Sequence, residues 1–269
     1  MSSTQRVGTM RGLRPYIVKQ LPWLLSPGSA GAAFSPTDID NFYCWFDFSD
    51  TNYMFVDDGV TPVSSDMDFL YRVNDKAGGS VRLKQTGGTQ VRPQYKLNLQ
   101  NGFSSMYFAS NNNRTITADT VFSMANTDDT SIFVVYSLNT IYGNHEQVWS
   151  TANGGSSTGY LLWCTIGQKM QFNQYVTIVN PSFTGIQMVN IITTASDSQA
   201  YVNSDLKVST GTDTRKNADL LRISGRGDGA NYKLLAGDYV CEFLYYKQAL
   251  SDTDRQSIET YLNDKWEIY

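Results

Sequence analysis

Apolar runs of strand length recur along this chain from about residue 42 onward, each closed off by turn residues, and that rhythm fixes the fold class more firmly than any other feature. The runs are MYFAS around Tyr107, SIFVVYSL around Val134, EQVWST around Val148, YLLWCTI around Trp163, KMQFNQY around Phe172, QMVNIITT around Ile191, QAYVN around Tyr201, LLRIS around Ile223 and YVCEFLYY around Phe243. Several alternate with period two, as Met170 and Phe172 do, and glycine-rich turns such as Asn153-Gly154-Gly155 punctuate them. The acid count points the same way, with 21 Asp against 4 Glu, and Ser, Thr and Asn make up 70 of 269 residues. Asp, Asn, Ser and Thr compete with the helical backbone through local hydrogen bonds, whereas Glu supports it. With 41% hydrophobic residues the chain can bury a core.

One helix is expected, at the C-terminal end. Ser251 stands where it can cap, Asp252 and Asp254 occupy the first turn, and Ile258, Tyr261, Leu262 and Trp266 recur at helical spacing. The reading is an all-β domain, residues 38–269, with one docked amphipathic helix. Residues 1–37 differ in kind: they hold four of the seven prolines and carry Arg6, Arg11, Arg14 and Lys19 without a single acid. Proline removes backbone donors and favours extended chain, so an extended N-terminal arm is expected. Its order would come from a partner, with the four cations meeting acidic groups and Tyr16, Leu21, Trp23 and Leu24 supplying an apolar anchor. The arm is +4 and the rest of the chain is −8. An acidic body excludes the basic footprint of a nucleic-acid binder. No apolar run approaches the length of a membrane span, and Lys19 and Pro22 interrupt the one stretch that resembles a secretory signal, so none is expected.

Ordered blocks then match a known pattern. Phe42-Tyr43-Cys44-Trp45-Phe46-Asp47, Asn74-Asp75-Lys76-Ala77-Gly78-Gly79, Gln85-Thr86-Gly87-Gly88 and Arg92-Pro93-Gln94-Tyr95 open it. Tyr201-Val202-Asn203, Ile223-Ser224-Gly225-Arg226, Gly237-Asp238-Tyr239-Val240-Cys241-Glu242 and Leu250-Ser251-Asp252 with Tyr261-Leu262 and Lys265-Trp266 close it. The chain thereby resembles LamG-like, concanavalin A-like jelly-roll domains over about residues 42–266, with Ala77 in place of the usual serine. The resemblance implies the fold, not the activity.

Catalysis finds little support in the residues. The E-x-D-x-x-E strand of laminarinase-like members is missing, Glu242 reads as a buried acid held by turn or backbone donors, and the only histidine, His145, sits beside Glu146 in a polar segment without a nucleophile. Cys44, Cys164 and Cys241 read as buried inert thiols. No cofactor is expected; a calcium site from Asp and backbone oxygens is the one exception left open, with Asp57-Asp58-Gly59 and Asp228-Gly229 as local candidates. Arg226-Gly227-Asp228 is a chance triplet in a glycine turn. For a glycan platform, Trp149, Tyr160, Trp163 and Tyr175 are the candidates, against the alternative that such aromatics fill the sandwich core. A jelly roll without a catalytic constellation, carrying a proline-rich basic arm, resembles bacteriophage virion accessory proteins, and the resemblance implies as the main expectation a non-enzymatic virion protein, decorating a capsid or attaching a tail through its arm to other virion subunits, with homo-oligomerisation. The alternatives are a glycan-binding receptor-recognition module of a phage tail or fibre, whose partner is a host surface glycan, and a polysaccharide-acting enzyme.

Overall fold

A computed structural model describes residues 34–109, 115–120, 122–139, 146–151, 161–165, 169–172, 176–179, 185–213, 217, 220–225 and 234–269. The chain divides into two units, Met1–Phe34 and Ser35–Tyr269, and the second carries every element described. In chain order these are β1 (Phe42–Asp47), β2 (Met54–Phe55), β3 (Arg72–Asn74), β4 (Arg82–Lys84), β5 (Gln94–Gln100), β6 (Phe103–Tyr107), β7 (Ile116–Ala118), β8 (Thr130–Leu138), β9 (Glu146–Ser150), β10 (Leu161–Thr165), β11 (Lys169–Phe172), β12 (Val176–Val179), β13 (Gly185–Thr193), β14 (Ser198–Val202), β15 (Asp205–Ser209), β16 (Arg222–Ile223), β17 (Tyr239–Tyr246) and α1 (Asp252–Trp266). All nine expected strands are present, and the helix begins where its cap predicts: the Ser251 side chain accepts from the Asp254 N–H.

The strands form two antiparallel sheets. The first runs β15-β14-β13-β8-β17-β6-β5, with β1 also paired to β17; the second runs β12-β11-β10-β9-β16-β7-β4-β3-β2. This is the jelly-roll sandwich expected from the sequence. One hydrophobic cluster lies between the sheets, and a second lies between the outer face of the first sheet and α1. Strand β8 shows why its sequence has no polar alternation. Ile132, Val134, Tyr136 and Leu138 face the other sheet, while Phe133 and Val135 face the helix cluster, so every position is buried.

Two irregularities aim the side chains that matter later. In β17 the register slips between Val240 and Glu242. Val240, Phe243 and Tyr245 enter the inter-sheet core, while Cys241, Leu244 and Tyr246 pack on the helix side, and the extra residue turns Glu242 toward the helix as well. In β1 a slip between Phe42 and Cys44 places Cys44 and Phe46 inside and leaves Trp45 facing the helix cluster. Cys44 and Cys241 are buried free thiols, and burial pushes both up in pKa. Ser35, Pro36 and Thr37 belong to a short capped 3-10 turn, and the Tyr246 hydroxyl donates to the Pro36 carbonyl at 2.8 Å.

Asp238 ties β8 to β17. Its carboxylate accepts the Asn139 N–H at 2.8 Å and the Leu235 N–H at 2.7 Å. Burial raises this carboxyl from 3.8 to about 6, against the two N–H donors that pull it down. The folded chain therefore holds the proton more tightly than the unfolded chain, and stability falls as pH rises between the two values and is level above them. Between about pH 4 and about pH 6 the loss assigned to this group is about 2 to 3 kcal/mol. Denaturant unfolding across that range should show a steeper decline for the wild type than for Asp238→Asn. Parallel profiles would remove Asp238 as the cause.

Candidate functional site

On the helix side of the first sheet an open cleft of about 360 Å³ is lined by side chains from four separate segments: the loop after β1, the turn at residues 75–79, the β5–β6 hairpin and α1. The loop is shaped by its own carboxylates. Asp47 Oδ1 accepts the Ser49 N–H at 3.0 Å and the Ser49 hydroxyl at 2.6 Å, and Asp50 caps the following 3-10 turn by accepting the Asn52 N–H at 3.2 Å.

The second segment is the Asp-Lys-Ala-Gly-Gly turn. Asp75 Oδ1 accepts the backbone N–H groups of Trp45 and Ala77, both at 2.9 Å. Because the turn uses the N–H of residue 77, alanine serves there in place of serine. Gly78 has φ +79°, and a Cβ on Gly79 would collide with the Asp75 carboxylate, so both glycines are required. The turn delivers Lys76, whose Nζ lies 2.7 Å from Asp47 Oδ2, 3.0 Å from Asp50 Oδ2 and 4.7 Å from the centre of the Trp45 ring.

Helix α1 contributes Lys265, with Nζ 2.7 Å from Asp47 Oδ2 and 2.8 Å from Glu242 Oε2. Glu242 is buried beneath the cleft and takes three further donors: Trp45 Nε1 at 2.7 Å and Tyr261 Oη at 3.0 Å on Oε1, and Trp266 Nε1 at 2.8 Å on Oε2. The sequence reading of Glu242 as a buried structural acid holds, but its donors are side chains of β1 and α1 rather than backbone or turn groups. Burial, then the neighbouring Asp47 charge, pushes its carboxyl above the usual range, opposed by Lys265 and Trp266. Burial would raise Asp47 too; Lys265 and then Lys76 outweigh it and hold that carboxyl low.

The hairpin supplies the apolar wall. Asn101 (φ +45°) and Gly102 (φ +75°) make a tight turn with positive φ at both positions. Gln100 Nε2 donates to the Trp266 carbonyl at 2.6 Å and Asn101 Nδ2 to the Lys265 carbonyl at 2.9 Å, which pins the hairpin to the helix C-terminus. Phe103 stands at the rim, 40% exposed, with its ring 5.5 Å from that of Trp266. Sequence reasoning missed Phe103. The Asn-Gly dipeptide before it is a strong hairpin signal and could have located the turn, though not the cleft beside it.

Each oxygen of Asp47 and Glu242 already accepts two donors, so neither carboxyl is placed to protonate a leaving group or activate water.

The predicted site residues fare unevenly. Trp149 is a correction: it is fully buried between the sheets, its ring 5.8 Å from Phe243, and offers no face to a sugar. Trp163 is placed on β10 opposite Gln147 and Gln171, with its side chain outside the described residues. Tyr160, Tyr175, His145 and residues 226–229 lie outside them as well, as do Arg6, Arg11, Arg14, Tyr16, Lys19, Leu21, Trp23 and Leu24 of the arm. At the calcium candidate Asp57-Asp58-Gly59 the carboxylates have protein partners. Asp57 Oδ1 accepts the N–H groups of Val60 and Thr61 at 2.8 and 2.9 Å, bonds that lower its carboxyl to about 2. Asp58 pairs with Lys84 at 2.9 Å and Arg72 at 3.7 Å. No group of three or more His, Cys, Asp or Glu side chains able to hold a metal ion occurs among the described residues.

No protein-family model matches the chain, and no curated protein sequence does. Solved structures do match in fold. The botulinum neurotoxin serotype D ligand binding domain in complex with N-acetylneuraminic acid superposes with a TM-score of 0.55 at 10% identity, over 84% of this chain and 52% of that one. The binding domain of Paraclostridial Mosquitocidal Protein 1 gives 0.55 at 15% identity, over 83% and 53%. A structure of botulinum neurotoxin type C, whose cell entry is dependent upon interaction with two ganglioside molecules, gives 0.54 at 11%, over 85% and 53%. The chain spans about half the length of these structures, and at such identity the likeness concerns the fold. None of the three supports the virion expectation, whose attachment residues in the arm lie outside the described part of the chain. The comparisons thus show the fold: this chain's body is a two-sheet β-sandwich similar in fold to the binding domains of these toxins.

Proposed function

We propose that the chain is a non-enzymatic carbohydrate-recognition module whose glycan lies in the cleft between the β1 loop, the β5–β6 hairpin and α1. The observation that carries this reading is Phe103, a ring 40% exposed at the rim of an otherwise polar cleft. A pyranose has one face of C–H groups and a perimeter of hydroxyls, and an exposed ring beside fixed carboxylates and hydroxyls is complementary to both. The lectin-like fold supports the reading, and so does the recognition role named for the solved structures. Because this chain matches only about half of each, their ligands do not carry over as such. The test is a glycan array probed with the full chain and with Phe103→Ala. The variant should lose binding while its unfolding free energy changes by about 1 kcal/mol or less, since the ring is partly solvated already. Unchanged binding by Phe103→Ala, or no glycan bound by the wild type, would overturn the proposal.

A further inference from the structure

The charge arrangement of the cleft selects among glycans, and we infer that it takes neutral sugars and discriminates against sialylated or sulfated ones. This inference rests on the reading of the cleft as a glycan site. Two ammonium groups are present, and each bridges two carboxylates: Lys76 joins Asp47 to Asp50, and Lys265 joins Asp47 to Glu242. Three carboxylates thus share two cations. The remaining contact of Lys76 is the face of the Trp45 ring, and Lys265 lies 4.8 Å from the centre of the Trp266 ring. Among the described residues, no cation lining the cleft lacks a carboxylate partner.

An incoming carboxylate or sulfate would have to displace Asp50 from Lys76, or break into the buried Asp47–Lys265–Glu242 network. The first leaves a carboxylate facing a second anion; the second strips a buried charge of its partner. A neutral hydroxyl meets no such cost. Asp50, 22% exposed in its side chain, can accept a sugar O–H, and Ser49 and Thr51 line the same wall. The ring of Phe103 takes the C–H face whatever the charge of the sugar. Affinity then comes from stacking and hydrogen bonds between neutral partners, so it should depend little on ionic strength, in contrast to recognition of an acidic sugar by an unpaired Lys or Arg.

The experiment pairs neutral oligosaccharides with their sialylated or sulfated derivatives in calorimetric titrations of the full chain, alongside Phe103→Ala and Asp50→Asn. Expected are affinity at least about tenfold higher for the neutral member, the order of penalty for one like charge a few ångströms away in a partly solvated site, and little change between about 0.01 M and about 1 M salt, over which the screening length falls from about 30 Å to about 3 Å. Asp50→Asn, which keeps the turn cap but removes one negative charge, should narrow the gap several-fold. Binding of the acidic member equal to or tighter than the neutral one, lost on Phe103→Ala and weakened by salt, would overturn the selectivity and leave the cleft standing as a glycan site. Failure of both members to bind, or binding indifferent to Phe103→Ala, would overturn the glycan reading itself.

Discussion

Glu242→Ala should cost about 3 to 5 kcal/mol of folding stability, the range for removing one member of a buried, hydrogen-bonded charge network. The side chain is buried under α1, and four donors converge on it: Trp45 Nε1, Tyr261 Oη, Trp266 Nε1 and Lys265 Nζ. Truncation takes the acceptor from two buried indole N–H groups, removes one partner of the Tyr261 phenol, and leaves Lys265 its ion pair with Asp47. Glutamine is no remedy, because its amide N–H would face a donor-only group in either orientation, the Trp266 indole and Lys265 in one and the Trp45 indole in the other. The effect should be cooperative with the helix. Glu242→Ala combined with Trp266→Phe, which removes one of the donors, should cost less than the two singly. Urea unfolding followed by tryptophan fluorescence measures all three variants, and a loss below about 1 kcal/mol for Glu242→Ala would show that the network does not hold α1 to the sheet.

Those same residues show how far the sequence can be read. Trp45, Asp47, the 75–79 turn, Glu242, Lys265 and Trp266 all stand within the blocks that carry the jelly-roll resemblance, and their order along the chain predicts the fold. Their convergence is a different matter. It depends on β1 pairing with β17 so that Asp47 lies opposite Glu242, on a bulge that turns Glu242 to the outer face, and on α1 docking over both. A bulge reverses which residues of a strand face inward, and nothing in YVCEFLYY marks where it falls. The long strands β8 and β17 were legible because β-branched and aromatic residues fill them. Strands β2, β3, β4 and β7, of two or three residues, were not, since no period can be read over so short a run. Phe103 escaped for a related reason: a single aromatic after a tight turn gives no pattern, and its meaning comes from Trp266 and the helix terminus, more than a hundred and fifty residues away in sequence.

Trp149→Ala separates the two places where an aromatic could serve a sugar. Trp149 is fully buried on β9, paired with Leu162 on one side and Ile223 on the other, and its ring meets Phe243 edge-on across the sandwich. Removing it empties an indole's volume from the inter-sheet core, where neighbours fixed in two sheets can collapse only in part, and a loss of about 3 to 5 kcal/mol is expected. The cleft proposed for the glycan lies beyond the first sheet, on its helix-bearing face, so molecules that remain folded should bind with unchanged affinity. Phe103→Ala is expected to do the reverse, losing the ligand and keeping the fold. Measuring unfolding free energy and glycan affinity on both variants therefore gives two opposite signatures. If Trp149→Ala abolished binding while leaving stability nearly intact, the indole would have to be reachable by ligand, and neither its position between the sheets nor the assignment of the cleft could stand.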